Sequence, residues 1–294
     1  MGHTVSPAST RMTLLITGAT GDIGSRVVVN LLERGDHPRV FVRDAAKARA
    51  RFGSRVEISI GDLTDSSTIR AALGGVDTLF LVNSGPELAA RDRMAAQVAT
   101  SVGVRRIVKL SSFDSTVGVG TGVWHTEGEK AIRETGIEFT FVQPAGFMSN
   151  ALLWAPSIKS DDVVRSPTDQ GKIAFIHPED ISAVAANALL NSQFSGRSLP
   201  ITGPVALSYP EMVDRIGKAL GRKLTFQPIT EDAVRQRMTD SGDAPEVVDA
   251  HLSIYQAIRE GRLAGVTDTV EHVLGRKPIA FERWINENLS AFYR

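Results

Sequence analysis

The chain has 294 residues, 42% hydrophobic and 22% charged, with Lys+Arg and Asp+Glu balanced at 33 each. That is an ordinary globular composition for one large domain or two modest ones, and it offers no basic excess to hold nucleic acid or an anionic membrane. Cysteine is absent, which excludes disulfides, thiolate metal sites and a cysteine nucleophile and suits a reducing cytoplasm.

No apolar run approaches the roughly 20 residues that span a bilayer. The opening MGHTVSPAST has no signal-peptide apolar stretch. Gly2 and Ser6 fit the short myristoylation pattern, but the plainer reading of residues 1–11 is a disordered leader. Thr13–Thr17 (TLLIT) then reads as a strand covered on both faces. Asp22–Arg34 carries apolar residues at helical spacing and ends at Gly35. Strands at Arg39–Arg43, Arg55–Ile60, Asp77–Val82, Arg105–Leu110 and Glu138–Val142 follow, with helices at Ser66–Leu73, Pro86–Val102 and within Gly122–Thr135. This alternation predicts right-handed crossovers and an α/β, doubly wound parallel sheet.

Strand signals thin out after Val142. Helices are expected at Pro178–Leu190, Ser208–Leu220, Thr230–Thr239 and Pro245–Gly261, a short strand at Leu199–Thr202, and extended chain at Lys223–Pro228. The organisation read from this is a dinucleotide-binding domain over residues 12–148 and a smaller, mostly helical substrate cap over residues 149–294, interleaved with the last sheet elements.

Between the first strand and helix lies TGATGDIG, with Gly18, Gly21 and Gly24 at G-x-x-G-x-x-G spacing. Gly18 permits the sharp turn off the strand, Gly21 lets backbone approach a pyrophosphate, and Gly24 lets the helix pack closely. The loop residues Thr20, Asp22 and Ile23 open the helix, whose N-terminus favours an anion. At the end of the second strand, Arg43 stands where an acidic residue would hold the ribose of NAD. A guanidinium there pairs with a 2′-phosphate, so NADP(H) is expected, and Asp44 keeps NAD(H) as the alternative. Asp62 and Leu63 end the third strand, where a carboxylate could take the adenine amino group or simply close a turn. Asn83 and Ser84 end the fourth, along the ribose and nicotinamide.

TGATGDIG, the VRD of strand two, the GDL after strand three, LSSF and IRETGIEFTFVQPAGFMSN together resemble the NmrA-like group of atypical short-chain dehydrogenases/reductases, and the resemblance runs from Met12 nearly to the C-terminus. It implies a Rossmann fold and an NADPH-dependent reductase of quinone, isoflavone-like or alkaloid-pathway type, or a non-catalytic NADP(H) sensor that regulates partners. The parent superfamily's Tyr-x-x-x-Lys pair is missing: Thr121 and His125 stand in its places, and His125 with Glu129 fits the H-x-x-x-E of NmrA-like proteins.

His125 is thus the expected proton donor or carbonyl-polarising residue, oriented by Glu129 one helical turn on; the alternative is a hydrogen bond to the nicotinamide ribose. Ser111 and Ser112 end the fifth strand, and Ser112 better fits the superfamily's substrate-polarising serine. The resemblance places Pro144 and Phe147 along the nicotinamide face. Phe113, Trp124, Met148 and Trp154 are expected to wall an apolar pocket, with Trp154 and Tyr255 the weaker members. The remaining histidines show no metal-ligand spacing, and no G-x-S-x-G elbow supports a hydrolase. The expected partner is a small hydrophobic substrate, with a homodimer as an open assembly and the cytoplasm as location. Two functions stand side by side: a reductase working without the Tyr–Lys pair, and a redox-sensing regulator.

Overall fold

Residue burial explains the order of the elements. The computed structural model describes residues 12–294, and the leader with its Gly2/Ser6 pattern lies outside the described residues. β1 (Leu14–Thr17) is buried along its whole length, so both faces need cover. α1 (Asp22–Glu33) gives one cover through Ile23, Val27, Val28 and Leu31. Each such fully buried aliphatic side chain contributes about 1.5–3 kcal/mol. The chain then runs β2 (Arg39–Val42), α2 (Ala45–Phe52), β3 (Glu57–Ile60), α3 (Ser66–Leu73), β4 (Thr78–Leu81) and α4 (Leu88–Ser101). It continues through β5 (Arg106–Leu110), a short α5 (Asp114–Val117), α6 (Gly122–Glu134) and β6 (Glu138–Pro144). The sequence pattern misses α2: AAKARARF buries only Ala48 and Phe52, too few for a periodic stripe, and the helix instead starts on the Asp44 cap.

The second half opens with a 3-10 turn (Met148–Trp154) and α7 (Ala155–Asp161), then β7 (Val163–Ser166), β8 (Lys172–Ile173) and α8 (Pro178–Leu190). β9 (Arg197–Ile201), β10 (Leu207–Ser208), α9 (Tyr209–Leu220) and β11 (Thr225–Pro228) follow. α10 (Glu231–Asp240), α11 (Pro245–Arg259), α12 (Thr269–Leu274) and α13 (Phe281–Asn288) complete it. Its strands are two to five residues long, which is why the sequence shows so few of them. β7 pairs in parallel with β11, and β8 antiparallel with β10.

The main sheet has the order β3-β2-β1-β4-β5-β6-β9, and every neighbouring pair in it is parallel. The architecture is the doubly wound α/β (Rossmann) sheet with a helical C-terminal region. β9 returns from the second half to pair with β6, Val142 against Leu199, and α8 packs on α1. Strand order reverses between β1 and β4, which opens a crevice at their carboxyl ends. Val27, Val108 and Ile181 belong to the core on one sheet face, Leu79, Ala95 and Phe141 to the core on the other. Met148, Met212 and Trp284 belong to the separate cap core. Among the described residues no helix is long and apolar enough to cross a membrane.

Candidate active site

Two clefts open along the carboxyl edge of the sheet. The first, about 640 Å³, is lined by Gly18, Thr20, Gly21, Arg43, Lys47, Asp62, Leu63, Asn83, Ser84 and Arg91, among others. Its floor is main chain. Gly18 turns off β1 at φ +62°, and a Cβ there would stand 2.9 Å from that of Val82. A Cβ on Gly24 would lie 2.2 Å from the Gly18 carbonyl oxygen, so only glycine lets α1 close onto its own loop. No side chain caps α1 at Gly21, which leaves its first-turn N–H groups for an anion. The loop therefore fits a dinucleotide pyrophosphate. Asp22 is ion-paired with Arg26 at 2.9 Å and Ile23 is buried in the core; the backbone of these two, not the side chains, belongs to the loop.

The cations of this cleft have different freedoms. The Arg43 side chain is 85% exposed and 3.9 Å from Asp62. Asp62 accepts 2.8 Å bonds from both the N–H and hydroxyl of Thr64. These bonds and Arg43 hold its carboxyl below the usual range, so one oxygen is already spent in a turn. Asp44 is also spent: it accepts from Ala46 and Lys47 N–H as the cap of α2. Arg91, unnoticed in the sequence, donates to the Ser84 carbonyl at 3.1 Å, and its buried Nε has no partner. Its signal was faint, one arginine among three charged residues at the start of α4.

A buried ion pair that the sequence reading also missed lies within electrostatic reach of His125. Lys109 on β5 and Asp92 on α4 are both 0% exposed, with Nζ 2.5 Å from Oδ2. Asn83 donates to Asp92 at 3.3 Å. Gly128 makes room for the pair, because a Cβ there would meet Asp92 Oδ2 at 2.3 Å. The available signal was a lysine inside the apolar run RIVKL, where a charge needs a partner. Burial, reinforced by the Lys109 charge, pushes His125 down to about 3. Its Nδ1 has no hydrogen-bond partner.

Glu129 does not orient His125. Its Oε1 accepts from Ser111 at 2.6 Å and from Gln143 at 2.8 Å, and Oε2 faces Arg133 at 3.6 Å. Helical spacing put the two residues on one face, but the buried serine and glutamine take the carboxylate first. The Ser111 hydroxyl is consequently committed. Ser112 Oγ accepts from the Asp114 N–H at 3.1 Å, just ahead of α5.

The second cleft, about 730 Å³, is lined by Ser112, Asp114, Thr121, His125, Pro144 and Phe147 at the sheet and by cap residues above. Its volume suits a small ligand. Trp154 and Tyr255, the weaker expectations, line it together with Tyr209; the Trp154 and Tyr209 rings are 4.9 Å apart. Phe113 and Met148 are instead buried in the cap core, and Trp124 is not among the residues lining this cleft. Asp114 was overlooked because nothing around it resembles a catalytic motif. Burial raises its carboxyl to about 6, against the opposing hydrogen bond from Ser112.

The NmrA-like family pattern matches residues 10–284. An NAD(P)H azoreductase of Xenophilus azovorans is 36% identical over 95% of this chain and 99% of its own length. A (4-alkanoyl-5-oxo-2,5-dihydrofuran-3-yl)methyl phosphate reductase of Streptomyces griseus is 35% identical, over 95% of this chain and 99% of its own. The NADPH complex of an Escherichia coli quinone oxidoreductase superimposes with a TM-score of 0.86 at 23% identity, covering 94% of this chain and 99% of that one. The chain belongs to the NmrA-like family.

Proposed function

We propose that the protein is an NADPH-dependent reductase that passes a hydride to a small hydrophobic acceptor, a quinone, enone, ketone or imine, held in the second cleft. The protein is an NAD(P)H-dependent oxidoreductase, in line with one full-length relative named as an NAD(P)H azoreductase and another named as a reductase. The observation that carries the finer reading is the meeting of two unlike clefts on one sheet edge: a glycine-floored, cation-rimmed one and an aromatic one.

The Gly18–Gly24 loop and the first turn of α1 would hold the pyrophosphate. Arg43, Lys47 and Arg91 supply positive charge where a 2′-phosphate would sit. With Asp44 committed to its cap, the ribose-diol site of an NAD(H) enzyme is weakened, so NAD(H) is the lesser alternative. Asn83 and Ser84 would line the ribose, and Pro144 and Phe147 the nicotinamide. When bound, NADPH supplies the hydride.

The chain's own residues then handle position and proton. His125, neutral at physiological pH, is a hydrogen-bonding group and not a cationic acid. The Ser112 hydroxyl, which bonds the Asp114 N–H and carboxyl, would turn from that carboxyl to hold an acceptor oxygen. Asp114 holds a proton on its carboxyl up to a pH of about 6, close enough to neutrality to give it to a developing alkoxide or amide nitrogen. An acceptor that is already cationic needs no such proton. In this reading residues 12–148 serve the cofactor and residues 149–294 the substrate, in a cytoplasmic protein that acts alone or as a homodimer.

Purified protein with NADPH, screened against naphthoquinones, enones and cyclic imines, is expected to oxidise the cofactor only when an acceptor is present. Tight NADPH binding without acceptor-dependent oxidation would favour the redox sensor instead.

A further inference from the structure

The cap-side wall of the second cleft carries more hydrogen-bond donors than an apolar acceptor can use. Arg237 on α10 lines it, and among the described residues no carboxylate pairs with its guanidinium. Its neighbours are committed: Arg235 pairs with Asp249 at 2.7 Å, and Arg165, also on this wall, pairs with Asp161 at 2.8 Å. Ser166, only 4% exposed, lines the same cleft with its hydroxyl unpartnered. Tyr255 and Tyr209 line the same cleft. Burial pushes both phenols upward, the other influences being the Tyr255 hydroxyl on Tyr209 and the Arg237 charge on Tyr255. Asp114 is the sole acidic residue lining the cleft, and it belongs to the sheet side.

The buried Ser166 hydroxyl, left without an acceptor, costs free energy unless a ligand satisfies it, whereas Arg237 is exposed and unpaired at the cleft mouth. A free guanidinium beside unpaired hydroxyls is a fork for an oxyanion. Resting on the reductase reading, we propose that the cap end of the cleft is an anion subsite. There Arg237, with the hydroxyls of Tyr255 and Ser166, takes a carboxylate, sulfonate or phosphate monoester carried by the acceptor. The acceptor is then amphiphilic. Its aromatic or conjugated body lies against Trp154 and Tyr209 and points toward His125, and its charged substituent lies under α10.

The test compares 1,4-naphthoquinone with its 2-sulfonate, using wild type to cancel their different reduction potentials. The ratio of kcat/KM for sulfonated over neutral quinone is expected to fall about tenfold in Arg237→Gln, the scale of one charge-assisted bond. The loss should lie in KM, and Arg237→Lys should recover most of it. Added salt should narrow the gap between wild type and Arg237→Gln. An unchanged ratio would overturn the subsite, and so would equal loss with both quinones, which marks a structural role. A second arm needs no turnover: calorimetry of 2-naphthalenesulfonate against 2-naphthol on the NADP⁺-loaded protein. Sulfonate binding that depends on Arg237 supports the subsite even if neither quinone is reduced, a result that would sink only the reductase reading. Sulfonate binding no tighter than naphthol binding would overturn the subsite.

Discussion

The two clefts are built on opposite principles. The glycine-loop cleft is floored by backbone, and its charges stand at the surface, Arg43 being 85% exposed. Its shape depends on atoms that are missing, the Cβ atoms of Gly18 and Gly24. The second cleft is walled by side chains from α5, α6, β6, α7, β7, β8, α9, α10 and α11, and its His125 feels the charge of an ion pair with no exposure at all. Surface charges act through water and are cheap to change. Buried charges act at short range and are costly to strand. One half of the site should therefore respond to mutation through affinity, and the other through folding and pH.

The largest effect is expected at Lys109. Removing one member of a buried pair leaves an uncompensated charge and typically costs about 3–5 kcal/mol. Lys109→Met should lower the unfolding free energy from urea denaturation by that measure, and Lys109→Met with Asp92→Leu should regain most of it. A single variant as stable as wild type would erase the contrast between the clefts. Next comes Arg43. Arg43→Ala should weaken NADPH about tenfold or more while leaving NADH nearly unchanged, in line with one lost charge-assisted contact. Equal losses for both cofactors, measured by fluorescence titration, would defeat the 2′-phosphate assignment.

Asp114 should show itself through pH. Its proton is present below about 6, so kcat with a ketone or enone should fall as pH rises through that value. In Asp114→Asn this limb should vanish, with turnover low throughout. The stability sign is worked the same way. A folded pKa raised above the unfolded value of 3.8 contributes stability below pH ~4 that is lost as pH rises through about 6. Asp114→Asn should thus melt a few degrees higher at pH 7.5. His125 runs in the other direction: its depressed value gives stability above pH 6.5 that drains away as pH falls toward about 3.

The same contrast decides what could be read from the chain. The alternating strands, the glycine loop and the Arg43 position are local patterns, each contained in a few consecutive residues, and so they show in the sequence. Asp114 and Arg237 have no local mark, because burial and the absence of a partner exist only after the cap has folded over the sheet. Glu129 shows the limit of spacing: it lies one turn from His125, yet the nonlocal Ser111 and Gln143 take its carboxylate. Phe113 and Met148 show another limit, since hydrophobicity cannot tell a pocket wall from the core behind it. Lys109 was readable in principle, as a charge within an apolar strand, but its partner Asp92 comes from another element.

The central claim, that the chain moves a hydride from NADPH to an acceptor in the second cleft, is tested most directly by a single turnover with NADPH deuterated at C4 and a naphthoquinone or enone. The account predicts acceptor-dependent loss of nicotinamide absorbance, stoichiometric with protein. It also predicts a primary isotope effect for one of the two C4 labels and deuterium in the enone product. Bound NADPH that stays reduced in the presence of every acceptor would contradict it.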